Sequence, residues 1–454
     1  MIVPGFRLIL YACIVWLPLL TAMGMAHAGA YYLCGLVLLF SLVPVGLDAA
    51  LSLRSLDGLL ISVPGTIRLI RKREGSIDVV VQHSFYKPVQ MVLGISLPVS
   101  FRSVNEYLVL RLDPEQKRFS ASWRCTPEKR GRFLLHKVYV ERASRLGLWN
   151  IRKTFPQHAD IRVYPNLFEE RKRLAAVFLI HGFLGVHAQR QVGKGREFEK
   201  LREYIPGDAV EDIHWKATAK RGKLVSKVFQ LERTQEIYVV LDAARLSGRY
   251  GESFSSAEEN AKKWKSDSFL ERFIAASLLL GSVAQRQGDR FGLVVFDDRV
   301  RRFIPPATGK THFGVCRDAL YTLEARPVNP DFQELCTFLR LRLTRRSLVL
   351  ILTNLDDPVL AEEFVRSISL VARRHLVLVN VFCPQGVAPL FSKGNAHSIE
   401  EIYRVLAGHL RWQELRELQH VLKQQGIALH LLNNETACAQ LVAQYLTVKR
   451  RQLL

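Results

Sequence analysis

The sequence contains no C-x-x-C pair, no G-x-S-x-G elbow and no H-E-x-x-H helix. The first absence removes the common zinc and dithiol spacings, the second the α/β-hydrolase nucleophile, the third a zincin centre. Cysteine is sparse: Cys13, Cys34, Cys125, Cys316, Cys336, Cys383 and Cys438 are an odd, scattered set. They read as buried free thiols of a reducing compartment, not as a disulfide framework. His181 and His187 stand six apart without a Cys or carboxylate at ligand spacing. The stretch ATGKT at 307–311 ends like a phosphate loop. Ile304 stands where that motif needs its first Gly, and Pro305-Pro306 removes two backbone donors. A helix N-terminus capped by Thr is the plain reading. No basic-aromatic RNA-binding signature and no helix-turn-helix spacing stands out.

Acid is also scarce relative to base. Against 64 Lys and Arg there are 42 Asp and Glu, a net charge of +22. Such an excess calls for an anionic neighbour: nucleic acid, a lipid surface or an acidic partner. Two charge-free runs, 8–26 and 28–47, point to lipid. Each is long enough to cross a hydrocarbon layer of about 30 Å as a helix. Little more than His27 separates them, so they read as a helical hairpin. Arg7 lies before the pair; Arg54, Arg68, Arg71, Lys72 and Arg73 follow it. The positive-inside rule then places both ends, and the rest of the chain, in the cytoplasm. A rival reading takes Arg7, the first run and Ala26-His27-Ala28 as a secretory signal with its cleavage site. Asp48, at the inner end of the second run, is expected to be solvated at the interface.

Beyond the spans the period changes twice. Residues 65–165 carry short alternating runs rich in β-branched and aromatic residues, such as IDVVVQHS and RFSASWRC, and predict a small β-sandwich. A densely charged segment covers 166–235. From 236 to 454, buried-type strands such as IYVVLDA, SLVLILTNL and HLVLVNVFC alternate with helical stretches. That pattern predicts a mostly parallel sheet with helices on both faces, its ligand site at the carboxyl ends of the strands. Asp297-Asp298 ends one strand and is expected to be a solvated turn.

The charged segment carries the most specific pattern. It reads GREFEKLREYIPGDAVEDIHWKATAKRGKLVSKVFQLE over 195–232. Pro206-Gly207-Asp208 is a turn, Asp212 is a candidate helix cap, and Trp215 is expected to pack against the α/β domain. Lys216, Lys220, Arg221, Lys223 and Lys227 follow without an acid among them. Gly195, Glu197, Phe198, Leu201, Arg202, Tyr204, Gly207, Asp208, Ile213, Trp215 and Glu232 resemble the signature of the domain-of-unknown-function 58 family. The upstream RGRFLLHKVYVERASRLGLW and the two spans fit that family's layout. The resemblance implies a multidomain chain: a transmembrane hairpin, a β-sandwich and a doubly wound, von Willebrand factor A-like α/β domain. It also implies a membrane-attached adaptor, not an enzyme, associated with a MoxR-type AAA+ ATPase.

Von Willebrand factor A folds often hold a metal through Asp-x-Ser-x-Ser, a Thr and a second Asp. Here the first stretch reads Asp242-Ala243-Ala244-Arg245-Leu246. Both serine oxygens are missing, Thr311 is the candidate for the Thr place, and Asn354 replaces the second Asp. A hard divalent cation needs about six oxygens, so the expectation is a degenerate site without metal, and no cofactor is implied. The candidate partner-binding residues are Arg202, Asp208, Asp212, Trp215, Lys220 and Lys223, in a segment that is either a docking surface or a brace between domains. The runner-up function is a membrane-surface enzyme using Glu197, Asp208 and His214 as acid-base groups.

Overall fold

The structure, a computed structural model, describes residues 1–25, 28–168, 170–172, 174–175, 192–206, 210–230, 235–250, 267–384, 386–390, 399–433 and 436–451. The chain divides into two units, Met1–Asn166 and Leu167–Leu454.

The first unit begins with a short strand, β1 (Ile2–Pro4), and then the apolar helices α1 (Phe6–Tyr11), α2 (Leu17–Met25) and α3 (Ala28–Ser52); a π-helical turn, Ala12–Trp16, joins the first two. Two stretches, Phe6–Gly24 and Tyr32–Ser52, are long and apolar enough to cross a membrane. Trp16 donates its indole N–H to Ser41 across the pair at 3.0 Å. Nine strands follow: β2 (Leu60–Ser62), β3 (Thr66–Ile70), β4 (Gly75–Gln82), β5 (Val89–Ile95), β6 (Phe101–Ser103), β7 (Leu108–Leu112), β8 (Arg118–Pro127), β9 (Gly131–Ala143) and β10 (Trp149–Tyr164). One sheet runs β1-β10-β9-β5-β7 with β3 also on β10; the other runs β2-β4-β8-β6. Strict alternation explains the shared core: Ile77, Val79 and Val81 of β4 and Ala121, Trp123 and Cys125 of β8 point inward, their neighbours outward. The short strands β1, β2, β3 and β6 were not legible as runs. Three to five residues are too few to show a period.

Both ends of the helical pair are tied to the turn before β10. Gly5 donates its N–H to the Leu148 carbonyl at 2.8 Å. Asp48 is not solvated, as its position near the interface suggested; it is 3% exposed. Its carboxylate accepts the Ser144 hydroxyl at 2.6 Å and the Leu146 N–H at 3.1 Å. A folded β-turn reaches it before water does. The Trp149 indole donates to the Val45 carbonyl at 3.0 Å beside it.

In the second unit a two-stranded ribbon comes first: β11 (Val192–Glu203) and β12 (Val225–Gln230), enclosing the helix α4 (Trp215–Arg221). Then come β13 (Glu236–Asp242), α5 (Phe269–Arg286), β14 (Arg290–Phe296), β15 (Val300–Ala307), α6 (Lys310–Leu320), α7 (Phe332–Arg342), β16 (Leu348–Leu352), α8 (Pro358–Ala372), β17 (Leu376–Phe382), α9 (Ile399–Gln424), β18 (Ala428–Leu432) and α10 (Ala437–Arg451). The sheet order is β15-β14-β13-β16-β17-β18, all parallel except β15, which runs back along β14. In domain order that is 3-2-1-4-5-6, the doubly wound arrangement, with its switch point between β13 and β16. Every residue of β16 is buried, because both faces are covered. Residues of α5, α6 and α10 form the core on one face; those of α7, α8 and α9 cover the other. The fold class expected from the sequence is the one present.

Candidate functional site

Two places follow from the sequence pattern. The first is α4 and its flanks. The helix starts at His214, not at Asp212. The His214 Nδ1 accepts the Ala217 N–H at 3.0 Å, while Asp212 closes the preceding 3-10 turn, Val210–Asp212. The helix ends on Gly222, whose φ of +68° is the left-handed conformation a residue without Cβ adopts most readily. Beneath it Ile213 and Val225 are buried, and Thr218 accepts the Val225 N–H at 3.1 Å. This local packing holds the helix without help from its outer face.

That outer face carries Trp215, and the expected packing of this side chain against the α/β domain is not what the structure has: Trp215 is 64% exposed. Lys216, Lys220, Arg221 and Lys223 are exposed around it. So are Ile205, Val210 and Leu224. Lys223 reaches Glu203 at 3.5 Å, with both side chains more than two-thirds exposed. Arg202 is half-buried. Asp208, Glu232, His181 and His187 lie outside the described residues, as does the side chain of Glu197.

The second place is the carboxyl end of the sheet at the switch point. Asp242 ends β13 fully buried. Its carboxylate accepts the Ala244 N–H at 2.8 Å and the Thr353 hydroxyl at 2.6 Å, and also the Asn354 N–H. Burial above all, with the nearby Asp297 charge, still pushes its pKa up to about 6. Asn354 is buried beside it and donates to the Leu246 carbonyl at 3.3 Å. Thr311 is elsewhere. Its neighbour His312 sits 2.6 Å from the Phe291 carbonyl. Phe291 lies five register positions below Phe296, which pairs with Asp242. That places Thr311 near the other end of the sheet, about 16 Å away at 3.3 Å per residue. The antiparallel course of β15 causes this, since it returns the chain to the amino end. The loop that does approach β13 is 326–331: Arg326 donates its N–H to Ala243, and Arg245 donates its N–H to Val328.

Arginines fill the surroundings. Arg301 grips buried Asp297 with both oxygens at 2.7 Å and reaches Asp298 at 2.6 Å. Asp297 is thus no solvated turn; burial first, then its Asp298 neighbour, raises its pKa, while Asp298 is lowered. Arg326 stands 3.5 Å from Asp297, Arg245 3.2 Å from Asp357, and Arg411 3.4 Å from Asp356. Arg245, Leu246, Arg249, Asp356 and Asp357 line a shallow opening of about 190 Å³. Arg301 and Arg326 are the residues that sequence reasoning missed. Arg301 was findable, four positions after Asp297; Arg411, on a helix 55 residues beyond its partner Asp356, was not. Among the described residues no three His, Cys, Asp or Glu side chains gather as a metal-holding group.

No curated protein matches the chain. Among solved structures, similarity is found to the conserved hypothetical protein BatB from Bacteroides thetaiotaomicron, at 11% identity and a TM-score of 0.29 over 48% of this chain and 99% of that one. An aerotolerance-related membrane protein from Bacteroides fragilis gives 13% identity and a TM-score of 0.28 over 47% of this chain and 98% of that one. The SpRpn10 VWA domain gives 8% and 0.27 over 46% and 95%. The strand order carries the fold argument without them. A family model described as protein of unknown function DUF58 matches residues 200–389, which take in α4, the switch point and the arginine-lined opening. The likeness to that family covers this region, less than half of the chain.

Proposed function

We propose that the protein is a membrane-anchored adaptor that docks a partner through α4, and that it performs no chemistry of its own. The observation that carries this is Trp215, a large amphipathic side chain left 64% exposed on a helix whose own packing does not use it. Trp is among the residues that dominate binding hot spots, and charged residues belong to the polar rim around them. The lysines around it would steer an acidic partner surface and set its orientation. The family resemblance makes a MoxR-type AAA+ ATPase the partner of this reading. Both ends of the helical pair are tied to the same β-turn, which supports a two-span anchor whose two ends lie on one side of the membrane, the cytoplasmic side by the positive-inside rule. Removing the first span as a signal would also remove β1 from its sheet.

No divalent ion belongs to the switch point in this reading. Three internal donors already occupy the Asp242 carboxylate, Ala244 and Leu246 offer no side-chain oxygen, and Thr311 is at the far end. Guanidinium groups supply the positive charge there instead. The rival enzyme reading is weakened because His214 spends Nδ1 on capping its helix.

The test is a pull-down of the full-length protein from detergent-solubilised membranes. The change Lys220→Glu with Lys223→Glu should reduce recovery of the ATPase several-fold and shift the thermal midpoint by no more than a few degrees, because exposed charges contribute about 0–1 kcal/mol each to stability. Undiminished recovery with a normal midpoint would remove α4 from the account.

A further inference from the structure

A different feature lies at the amino end of the same sheet. Arg340, Leu370, Arg373, Arg374 and His375 line a pocket of about 240 Å³. Arg340 comes from α7, Leu370 from α8, and the other three from the turn between α8 and β17. The polar residues of the lining are therefore three arginines and one histidine.

His375 is the unusual member. It is 4% exposed, and neither ring nitrogen has a hydrogen-bond partner among the described residues. A buried polar group without a partner costs about 1–3 kcal/mol, so such groups call for an explanation. Burial first, then the adjacent Arg374, lowers its pKa, so the ring is neutral at pH 7. A neutral imidazole keeps one N–H donor and one acceptor nitrogen.

The electrostatics are one-sided. No Asp or Glu occurs from 335 to 355 or from 364 to 399, while Arg340, Arg342, Arg345, Arg346, Arg373 and Arg374 fall within those stretches. The carboxyl ends of α7 and α8 oppose an anion here, but a helix end amounts to about half a negative charge, less than the full charge of each arginine. Arg374 also donates to the Thr344 carbonyl, which covers part of that end.

We propose that this pocket binds a phosphate group, carried either by a small soluble phosphorylated molecule or by the headgroup of a lipid. Arginine forks match phosphate oxygens in pairs. His375 donates to a third oxygen, and its other nitrogen accepts from a protonated phosphate oxygen or a bound water. Leu370 gives the one apolar wall, suited to the carbon next to a phosphate ester.

Titration calorimetry on the full-length protein in a neutral detergent tests this. The probes are inorganic phosphate, dioctanoyl phosphatidic acid, and dioctanoyl phosphatidylcholine as the control without a terminal phosphate. Saturable one-to-one binding of phosphate or phosphatidic acid is expected, with at least a tenfold weakening in Arg373→Gln and in His375→Gln. Arg366→Gln, outside the pocket lining, should bind normally. Phosphatidic acid binding at least tenfold tighter than phosphate, and displaced by it, identifies a lipid headgroup; equal or weaker binding identifies a soluble ligand. Absence of saturable binding for both probes overturns the proposal. So does binding that Arg340→Gln and Arg373→Gln leave unchanged while both variants melt like the parent.

Discussion

At the scale of single residues, exposure separates two side chains that look alike in sequence as functional candidates. Trp215 and Asp242 both sit in motif-like stretches. One faces water and the other is sealed under three donors. Trp215→Ala is therefore expected to change stability by no more than about 0.5 kcal/mol, as surface substitutions do. A thermal midpoint lowered by many degrees would mean that the indole is packed after all. Asp242 behaves in the opposite way. Its folded pKa of about 6 lies above the ordinary 3.8, so the native state holds the proton more tightly than the unfolded chain. The stability from this group is greatest below 3.8, declines as pH rises to about 6, and is level above. The total is roughly 3 kcal/mol at 1.36 kcal/mol per pKa unit. Asp242→Asn cannot titrate, so its urea midpoint should decline less than the parent's between pH 4 and 6. Equal slopes for the two proteins would show that another group governs the window.

At the scale of elements, patterns that repeat were legible and patterns that depend on contact were not. The buried strands β13, β16 and β17 are apolar runs, and the helices α5, α7, α8 and α9 alternate with strands as the pattern over 236–454 predicts. The cap of α4 was placed at Asp212 and lies at His214, because both types can accept a backbone N–H and only the 3-10 turn at 210–212 decides between them. Thr311 was misjudged because a run of apolar residues does not say which way its strand points. The tie between α3 and β10 was invisible for a similar reason: Asp48 and Ser144 are 96 residues apart. Asp48→Ala would leave the Ser144 hydroxyl and the Leu146 N–H without their acceptor, at a cost of about 1–3 kcal/mol. The thermal midpoint of the detergent-solubilised protein should fall measurably. An unchanged midpoint would show that water reaches the turn.

At the scale of the whole molecule, the net charge of +22 has at least two outlets in the structure: lysines around Trp215 and arginines at both ends of the α/β sheet. At the carboxyl end the arginines are matched by Asp297, Asp298, Asp356 and Asp357, so that end is neutralised internally. Around α4 the ion pair among the described residues is Lys223 with Glu203, both largely exposed, and the adaptor reading rests on that solvent-facing basic surface. The most direct measurement is photo-crosslinking in intact cells, with a benzophenone amino acid in place of Trp215 and a second probe in place of Tyr86, an exposed residue of the β-sandwich. The account predicts a crosslink from position 215 to an AAA+ ATPase and none from position 86. Capture of that ATPase from position 86 but not from 215, in protein that is folded and inserted, would contradict it.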